Sequence, residues 1–243
     1  MSDETRRAVV TGAASGMGAA VAQRFVAEGW QVLAIDVDRA GLERVQSELE
    51  PAFVGLHTDI TDRSAVQSAL AGAVGADGGV HAVVNAAGIY PTTTLADYTD
   101  ATYHRIFDIN VLGTLNVTAA SVPLIRRHGR GGAVVNFASI DAFAVSPGQL
   151  VYSASKAAVV SITRSLAIEL ADDGVAVNAV APGWVATPGT LAGGRIEEAV
   201  RAVPLGRAAS TEEIADWVWT LASRPGSYLT GETLVISGGL VLR

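Results

Sequence analysis

Apolar residues fall into short β-branched runs that alternate with longer stretches of helical periodicity. The runs 8–11 (AVVT), 31–36 (QVLAID), 53–59 (FVGLHTD), 80–85 (VHAVVN), 133–139 (AVVNFAS), 176–181 (AVNAVA) and 233–236 (TLVI) have the length and residue types of buried strands. Between them the pattern predicts helices over 16–28, 38–49, from Asp62 onward, 100–128, 151–171 and 211–222, with a short one within 195–202. Gly29 suits the C-terminal turn of the first helix. Asp38 and Asp62 suit the caps of the second and third, and Pro123 is the expected disturbance in the long fourth. Strands that are apolar along their whole length are covered on both faces, and strand–helix–strand repetition makes them parallel. The chain therefore reads as α/β: one domain over 1–243, a doubly wound parallel sheet of about seven strands with helices on both faces. Only 183–210 breaks the alternation. It follows the sixth strand, is rich in Gly, Ala and Pro, and has the length of a lid or binding loop.

Composition narrows the function classes. Hydrophobic residues make up 49% of the chain and charged residues 17%, enough apolar material to cover such a sheet twice. The net charge of −7 argues against a nucleic-acid partner; the densest cationic cluster, Arg126, Arg127, His128 and Arg130, reads as a helix C-terminus. With no cysteine, disulfides, thiolate nucleophiles and cysteine-ligated zinc are excluded. The histidines are scattered, only His57-x-Asp59 approaches a ligand spacing, and no catalytic metal is expected. The N-terminal MSDETRR lacks the apolar core of a signal peptide, and no uninterrupted apolar run is long enough to span a bilayer. A soluble cytoplasmic protein with no membrane partner is the expectation.

Candidate chemistry begins at TGAASGMG, between the first strand and the first helix. Gly12, Gly16 and Gly18 let backbone N–H groups approach a pyrophosphate, and the helix N-terminus adds partial positive charge. Ser15 and Met17 complete the turn as candidate cofactor contacts. Three glycines alone also describe a tight turn with no ligand; the strand before and helix after are what favour a dinucleotide. The second strand ends in Asp36, 18 residues beyond Gly18, where a carboxylate can accept both adenosine-ribose hydroxyls and repel a 2′-phosphate. No cation stands at Ser15 or Val37, and Arg39 is the nearest candidate, so NAD is expected over NADP.

The segment YSASK places Tyr152 and Lys156 on one face of a predicted helix. Ser139 ends the fifth strand 13 residues earlier, at the carboxyl edge of the sheet where such folds bind ligands. A free phenol titrates near pH 10, so a neighbouring ammonium and an oxidised nicotinamide would be needed to make Tyr152 a usable base. A Tyr and a Lys on an exposed helix face would give the same spacing, so this pair means little alone.

Together, TGAASGMG, NAAG (85–88), Asn110 in NVLG, Ser139, YSASK and PG (182–183) resemble the short-chain dehydrogenase/reductase family over essentially the whole chain. The resemblance implies a Rossmann-type fold and a catalytic set of Asn110, Ser139, Tyr152 and Lys156. Tyr152 would exchange a proton with the substrate oxygen and Ser139 would orient that oxygen. Lys156 would bind the nicotinamide ribose and lower the Tyr152 pKa, and Asn110 would hold a water linking Lys156 to solvent. Asp59 and Ile60 would contact adenine. Asn85 would steady the central strands while Ala86 and Gly88 border the cofactor. Pro182, Gly183, Val185 and Thr187 would flank the nicotinamide. The expected pocket is Ser139, Asp141, Phe143, Tyr90, Leu150 and Trp184 with the 185–204 part of the loop, and Asp141 would disfavour an anionic substrate if it points inward. Trp217 and Trp219 read as core or interface residues. The expected activity is NAD-dependent interconversion of a secondary alcohol and a ketone. A 3-oxoacyl-thioester reductase or a non-catalytic dinucleotide sensor is the alternative; no G-x-S-x-G elbow supports a hydrolase. The resemblance also implies a homotetramer.

Overall fold

A computed structural model describes residues 5–76, 78–127, 129–192, 194, 196–224 and 228–242. Its seven strands are β1 (Arg7–Thr11), β2 (Gln31–Asp36), β3 (Phe53–His57), β4 (Ala82–Asn85), β5 (Gly132–Phe137), β6 (Val175–Pro182) and β7 (Thr233–Ile236). They form one parallel sheet in the order β3-β2-β1-β4-β5-β6-β7. The helices are α1 (Gly16–Ala27), α2 (Arg39–Leu49), α3 (Arg63–Val74), α4 (Asp100–Phe107), α5 (Thr114–Arg126), α6 (Leu150–Glu169), α7 (Pro188–Ala192), α8 (Ile196–Ala199) and α9 (Thr211–Ala222).

The apolar strands are buried on both faces because neighbouring residues serve opposite cores. Ala8 and Val10 of β1 and Val32 and Ala34 of β2 pack with Phe25 of α1, Leu42 of α2 and Ile214 of α9. Val9, Leu33 and Ile35 face the other way, onto Val66 and Leu70 of α3, Val117 of α5 and Ala167 of α6. Trp219 belongs to the first core, edge-on to Phe25 at 5.1 Å and to Trp30 at 5.6 Å, whereas Trp217 is half exposed. The chain reverses its direction of travel across the sheet between β1 and β4. Their carboxyl ends therefore open the crevice in which doubly wound folds bind ligands.

Several boundaries move for local reasons. The run 53–59 leaves the sheet at His57 because Asp59 folds back to accept from the Thr61 N–H and hydroxyl, at 2.9 and 2.8 Å. The run 133–139 ends at Phe137, and Ser139 caps the 3₁₀ turn Ile140–Ala142. Asp38 and Asp62 are the N-caps expected, accepting from Gly41 and from Ser64 and Ala65. Ser210 and Glu213 add a capping box at α9.

The long helix is disturbed at Asn110, not at Pro123. A π-helical segment, Asp108–Gly113, separates α4 from α5, while Pro123 is carried inside α5. The whole run Asp100–Arg126 has the length and apolar content to cross a membrane; 56% of its most apolar window is buried inside the fold, as in a core helix. Polar residues such as Asn110 and Asn116 interrupt it in sequence, which is why no such run was expected. In the basic cluster, Arg126 pairs with Asp173 at 2.6 Å and Arg127 donates to the carbonyls of Gly75, Ala76 and Gly78; His128 lies outside the described residues. The 183–210 region is partly helical, forming α7, α8 and the 3₁₀ turn Val200–Ala202.

Candidate active site

The glycine turn is shaped by backbone that approaches backbone. Gly12 has φ +67°, and a Cβ there would lie 2.9 Å from the Ala87 Cα. A Cβ on Gly18 would overlap the Gly12 carbonyl. The Thr11 hydroxyl accepts from the Ala87 N–H at 3.0 Å, tying the segment 85–88 to the end of β1. Ser15 is exposed as the N-cap of α1 and spends no side-chain bond on the helix. Across the groove, a Cβ on Gly16 would come within 3.7 Å of Thr187, so the turn and the post-β6 loop are its two walls. Met17, Ala86, Gly88, Pro182, Gly183, Val185 and Thr187 border the cavity that continues from it. A nicotinamide dinucleotide fits this cradle: glycine where a side chain would obstruct, N–H groups at the α1 start, and a carboxylate beyond β2.

That carboxylate, Asp36, accepts from the Ala14 and Asp38 N–H groups, both at 3.0 Å. Arg39 turns to His57 at 3.1 Å. Arg44, which sequence reasoning passed over, donates to the Ala14 carbonyl at 2.9 Å and brings a second cation to the turn. Asp59 is exposed, but the Ile60 side chain is buried against Gly113 and in the core beneath α3, so any ligand contact of Ile60 is through its main chain. Asn85 is structural: its amide donates to Thr118 and Asn136 beneath the sheet.

Beyond the groove opens a cavity of about 700 Å³. Ser139, Tyr152 and Lys156 share its wall with Tyr90, Asp141 and Trp184. Trp184 also borders a second cavity of about 400 Å³, beside Trp217 of α9. The Ser139 hydroxyl accepts from the Asp141 N–H at 3.1 Å, donates to the Asp141 carboxylate at 3.4 Å and stands close enough to the Tyr152 phenol to lower its pKa. The Tyr152 ring meets Tyr90 edge-on at 6.1 Å, and the Lys156 Nζ lies 5.7 Å from its centroid. Lys156 is 5% exposed and donates to the Phe137 carbonyl at 2.7 Å. Gly88 leaves room for it, since a Cβ there would come within 3.4 Å of the ammonium.

The geometry adds three points to these expectations. Burial pushes the Tyr152 phenol above its ordinary range; the Ser139 bond pulls it back, and Asp141 and Tyr90 push it up again. Burial pushes the Lys156 ammonium down to about 8. In the protein alone, desolvation therefore outweighs the help expected from Lys156. Asn110 has its amide committed to protein: Oδ1 accepts from the Ile89 N–H, and Nδ2 donates to the Ile89 carbonyl and the Ser155 hydroxyl. The side chain thus clamps the 88–89 segment beside Lys156. Finally, Leu150 and Phe143 do not line the cavity. Leu150, two residues before Tyr152, points off another side of α6 and is 46% exposed; Phe143 packs on Val159, Val160 and Ala181. The wall instead includes Ser146, Gln149, Glu198 and Leu240.

Residues 12–241 match the family model described as enoyl-(acyl carrier protein) reductase. The 3-alpha-(or 20-beta)-hydroxysteroid dehydrogenase of Mycobacterium tuberculosis is 38% identical over 235 residues, which are 96% of this chain and 88% of the relative. The chain belongs to the short-chain dehydrogenase/reductase family. Among solved short-chain dehydrogenase/reductase structures, the 3-ketoacyl-(acyl-carrier-protein) reductase of Brucella melitensis complexed with NADH superposes with a TM-score of 0.92 at 32% identity, covering 98% of this chain and 99% of that one. ElxO with NADP bound gives 0.89 at 26% identity, with 97% and 98% covered. As a short-chain dehydrogenase/reductase the chain is an oxidoreductase that uses a nicotinamide dinucleotide.

Proposed function

We propose that the chain interconverts a secondary alcohol and a ketone with NAD as cofactor and Tyr152 as acid/base. The observation that carries this is convergence: the phenol, the Ser139 hydroxyl and the Lys156 ammonium meet at one wall of the cavity, at the sheet edge where the glycine turn opens. In oxidation, a substrate hydroxyl held by Ser139 gives its proton to the Tyr152 oxygen; in reduction the phenol returns it. The nicotinamide supplies the hydride chemistry. Lys156, steered by the Phe137 carbonyl, would hold the ribose hydroxyls, and Asn110 keeps the Gly88–Ile89 wall in register with it. Because burial favours the neutral phenol, the protein alone is poised as an acid for reduction. Oxidation draws on the positive charges of Lys156 and an oxidised nicotinamide to favour phenolate.

Asp36 supports NAD, since a carboxylate at the end of β2 accepts ribose hydroxyls and repels a 2′-phosphate. The solved relatives hold NADH in one case and NADP in the other, so the preference rests on this residue. Asp141 lines the cavity with Oδ1 accepting from the Ser146 N–H at 2.8 Å, which favours an uncharged substrate. The name of the Brucella melitensis relative supports reduction of a 3-oxoacyl thioester as a second reading.

The test follows dinucleotide absorbance with NAD, NADH, NADP and NADPH against secondary alcohols, their ketones and acetoacetyl-CoA, for wild type and Tyr152→Phe. Turnover of alcohols with NAD is expected, and loss of the phenol lowers kcat by about 10²–10⁴-fold. Equal turnover by the variant removes Tyr152 from the mechanism; turnover of acetoacetyl-CoA alone favours the second reading. Tight dinucleotide binding without any turnover favours a sensor.

A further inference from the structure

We propose that Asp141 is a specificity-determining residue: its Oδ2 takes a hydrogen bond from a hydroxyl on the carbon next to the reacting carbinol, so that a vicinal diol is preferred to a simple alcohol. This rests on the alcohol–ketone reading above. The two carboxylate oxygens do different work. Oδ1 accepts from the Ser146 N–H at 2.8 Å, which fixes the group. Among the described residues, Oδ2 accepts from the Ser139 hydroxyl alone, at 3.4 Å, the long end of a hydrogen bond. Asp141 is partly exposed on the cavity wall, and its charge is felt at the Tyr152 phenol, which it pushes up. A carboxylate oxygen has room for two donors, so Oδ2 is short of one beside the reacting centre.

Ser139 supplies the other half of the argument. Its hydroxyl has a single proton, spent on Asp141, and one lone pair takes the Asp141 N–H at 3.1 Å. A substrate alcohol gives its own proton to Tyr152, and a ketone has none, so in either case Ser139 must turn its proton to the substrate oxygen. Oδ2 then loses its one bond, and a carboxylate oxygen left unpaired in the wall is costly. A neighbouring hydroxyl removes the conflict: it donates to Oδ2 while the Ser139 proton goes to the reacting oxygen. Oδ2 and the Ser139 Oγ are 3.4 Å apart, a separation that oxygens on adjacent carbons can meet one to one. A neutral donor is matched better than an ammonium, because Lys156 lines the same cavity and an oxidised nicotinamide adds a second positive charge. In oxidation the carbinol carbon loses a hydride to the nicotinamide and its hydroxyl a proton to Tyr152, giving an α-hydroxy ketone; the second hydroxyl is unchanged.

The experiment measures steady-state oxidation, with NAD and with NADP, of cyclohexanol, cis- and trans-cyclohexane-1,2-diol, cyclohexane-1,4-diol and 2-methylcyclohexanol by wild type and Asp141→Asn. One hydrogen bond to a carboxylate is worth about tenfold or more in kcat/KM, expected for at least one 1,2-diol over cyclohexanol in wild type. The 1,4-diol, whose second hydroxyl lies too far off, and 2-methylcyclohexanol, which has the bulk without the donor, show no such gain. In Asp141→Asn, an amide that keeps the Ser146 bond presents a donor where Oδ2 was, and the ratio falls close to one. A wild type with no 1,2-diol preference, or with the same gain for 2-methylcyclohexanol, overturns the inference and leaves the alcohol–ketone reading standing. So does a ratio that survives in Asp141→Asn. Should that variant lose all activity, the wild-type comparison decides alone. Failure of wild type to oxidise any probe removes both.

Discussion

The two ends of the cleft are built from different materials. The dinucleotide end is backbone: Gly12 and Gly18 touch main chain of the 85–88 segment and of the turn itself, and its carboxylates, Asp36 and Asp59, are partly or fully exposed. The catalytic end is side chain: Asn110, Ser139 and Lys156 are 1%, 6% and 5% exposed, and each has a named partner. One end is spoiled by an added atom, the other by a lost partner. Their failures should therefore differ in kind as well as in size.

Adding a single methyl group at the first end should have the largest effect on the fold. In Gly18→Ala the new Cβ overlaps the Gly12 carbonyl, which is main chain and cannot rotate away. We expect a loss of about 4 kcal/mol, hence a melting temperature lower by about 10 °C, together with loss of dinucleotide binding. Gly72→Ala sets the contrast. That glycine lies inside α3 with nothing within 4 Å of its Cβ position, and alanine there should raise stability by up to about 1 kcal/mol. Calorimetric melting and NAD titration of both variants decide it; equal behaviour would mean that the turn has slack.

This contrast also explains what could be read without coordinates. The parallel doubly wound sheet and its two-faced core follow from alternation and short connections, and 211–222 and 233–236 matched their helix and strand to the residue. Glycine spacing exposes the dinucleotide end because a missing side chain is itself the signal. YSASK exposes the catalytic end only in company with Ser139 and Asn110. The cavity wall was least legible. Whether Leu150 or Gln149 faces it depends on one residue's rotation at the start of α6, and Phe143 is claimed by an apolar cluster that forms only when β6 and α6 pack. The π-segment at Asn110 leaves no periodicity cue either. It is stabilised by bonds to Ile89 and Ser155, both distant in sequence.

A pH series probes the catalytic end. Lys156 titrates at about 8 in the folded protein against an ordinary 10.5, so the unfolded chain binds more protons between those values. By linkage, the stability contributed by this group is fully present above pH 10.5 and lost as pH falls through about 8. The gap between those two values corresponds to about 3 kcal/mol. Tyr152 acts oppositely only above pH 10, where the unfolded phenol ionises first. Urea unfolding of the protein without cofactor should show wild type gaining on Lys156→Met by about this amount between pH 7 and 10. A constant difference across that window would mean the ammonium is solvated and not buried as found.

The smallest effect we expect belongs to Asp36, because that end meets its ligand near solvent. Its two oxygens hold the Ala14 and Asp38 N–H groups, so the carboxylate has structural work apart from any ribose. Removing it therefore costs some order in the turn, which should weaken NAD and NADP alike. Removing its charge should separate them: Asp36→Ala loses the ribose acceptor for NAD and the repulsion against a 2′-phosphate. The ratio of the two dissociation constants should then move toward NADP by about tenfold, roughly the value of one hydrogen bond or one exposed charge contact. Arg44 stands at the same turn through the Ala14 carbonyl, and Arg39 lies just beyond it. If Arg44 supplies the new phosphate contact, adding Arg44→Gln should return much of the shift; if Arg39 does, that double variant should keep it. Calorimetric titration of wild type comes first. Equal affinity for NAD and NADP there would show that a carboxylate held by two N–H groups is too well compensated to discriminate, and the cofactor preference would need another source.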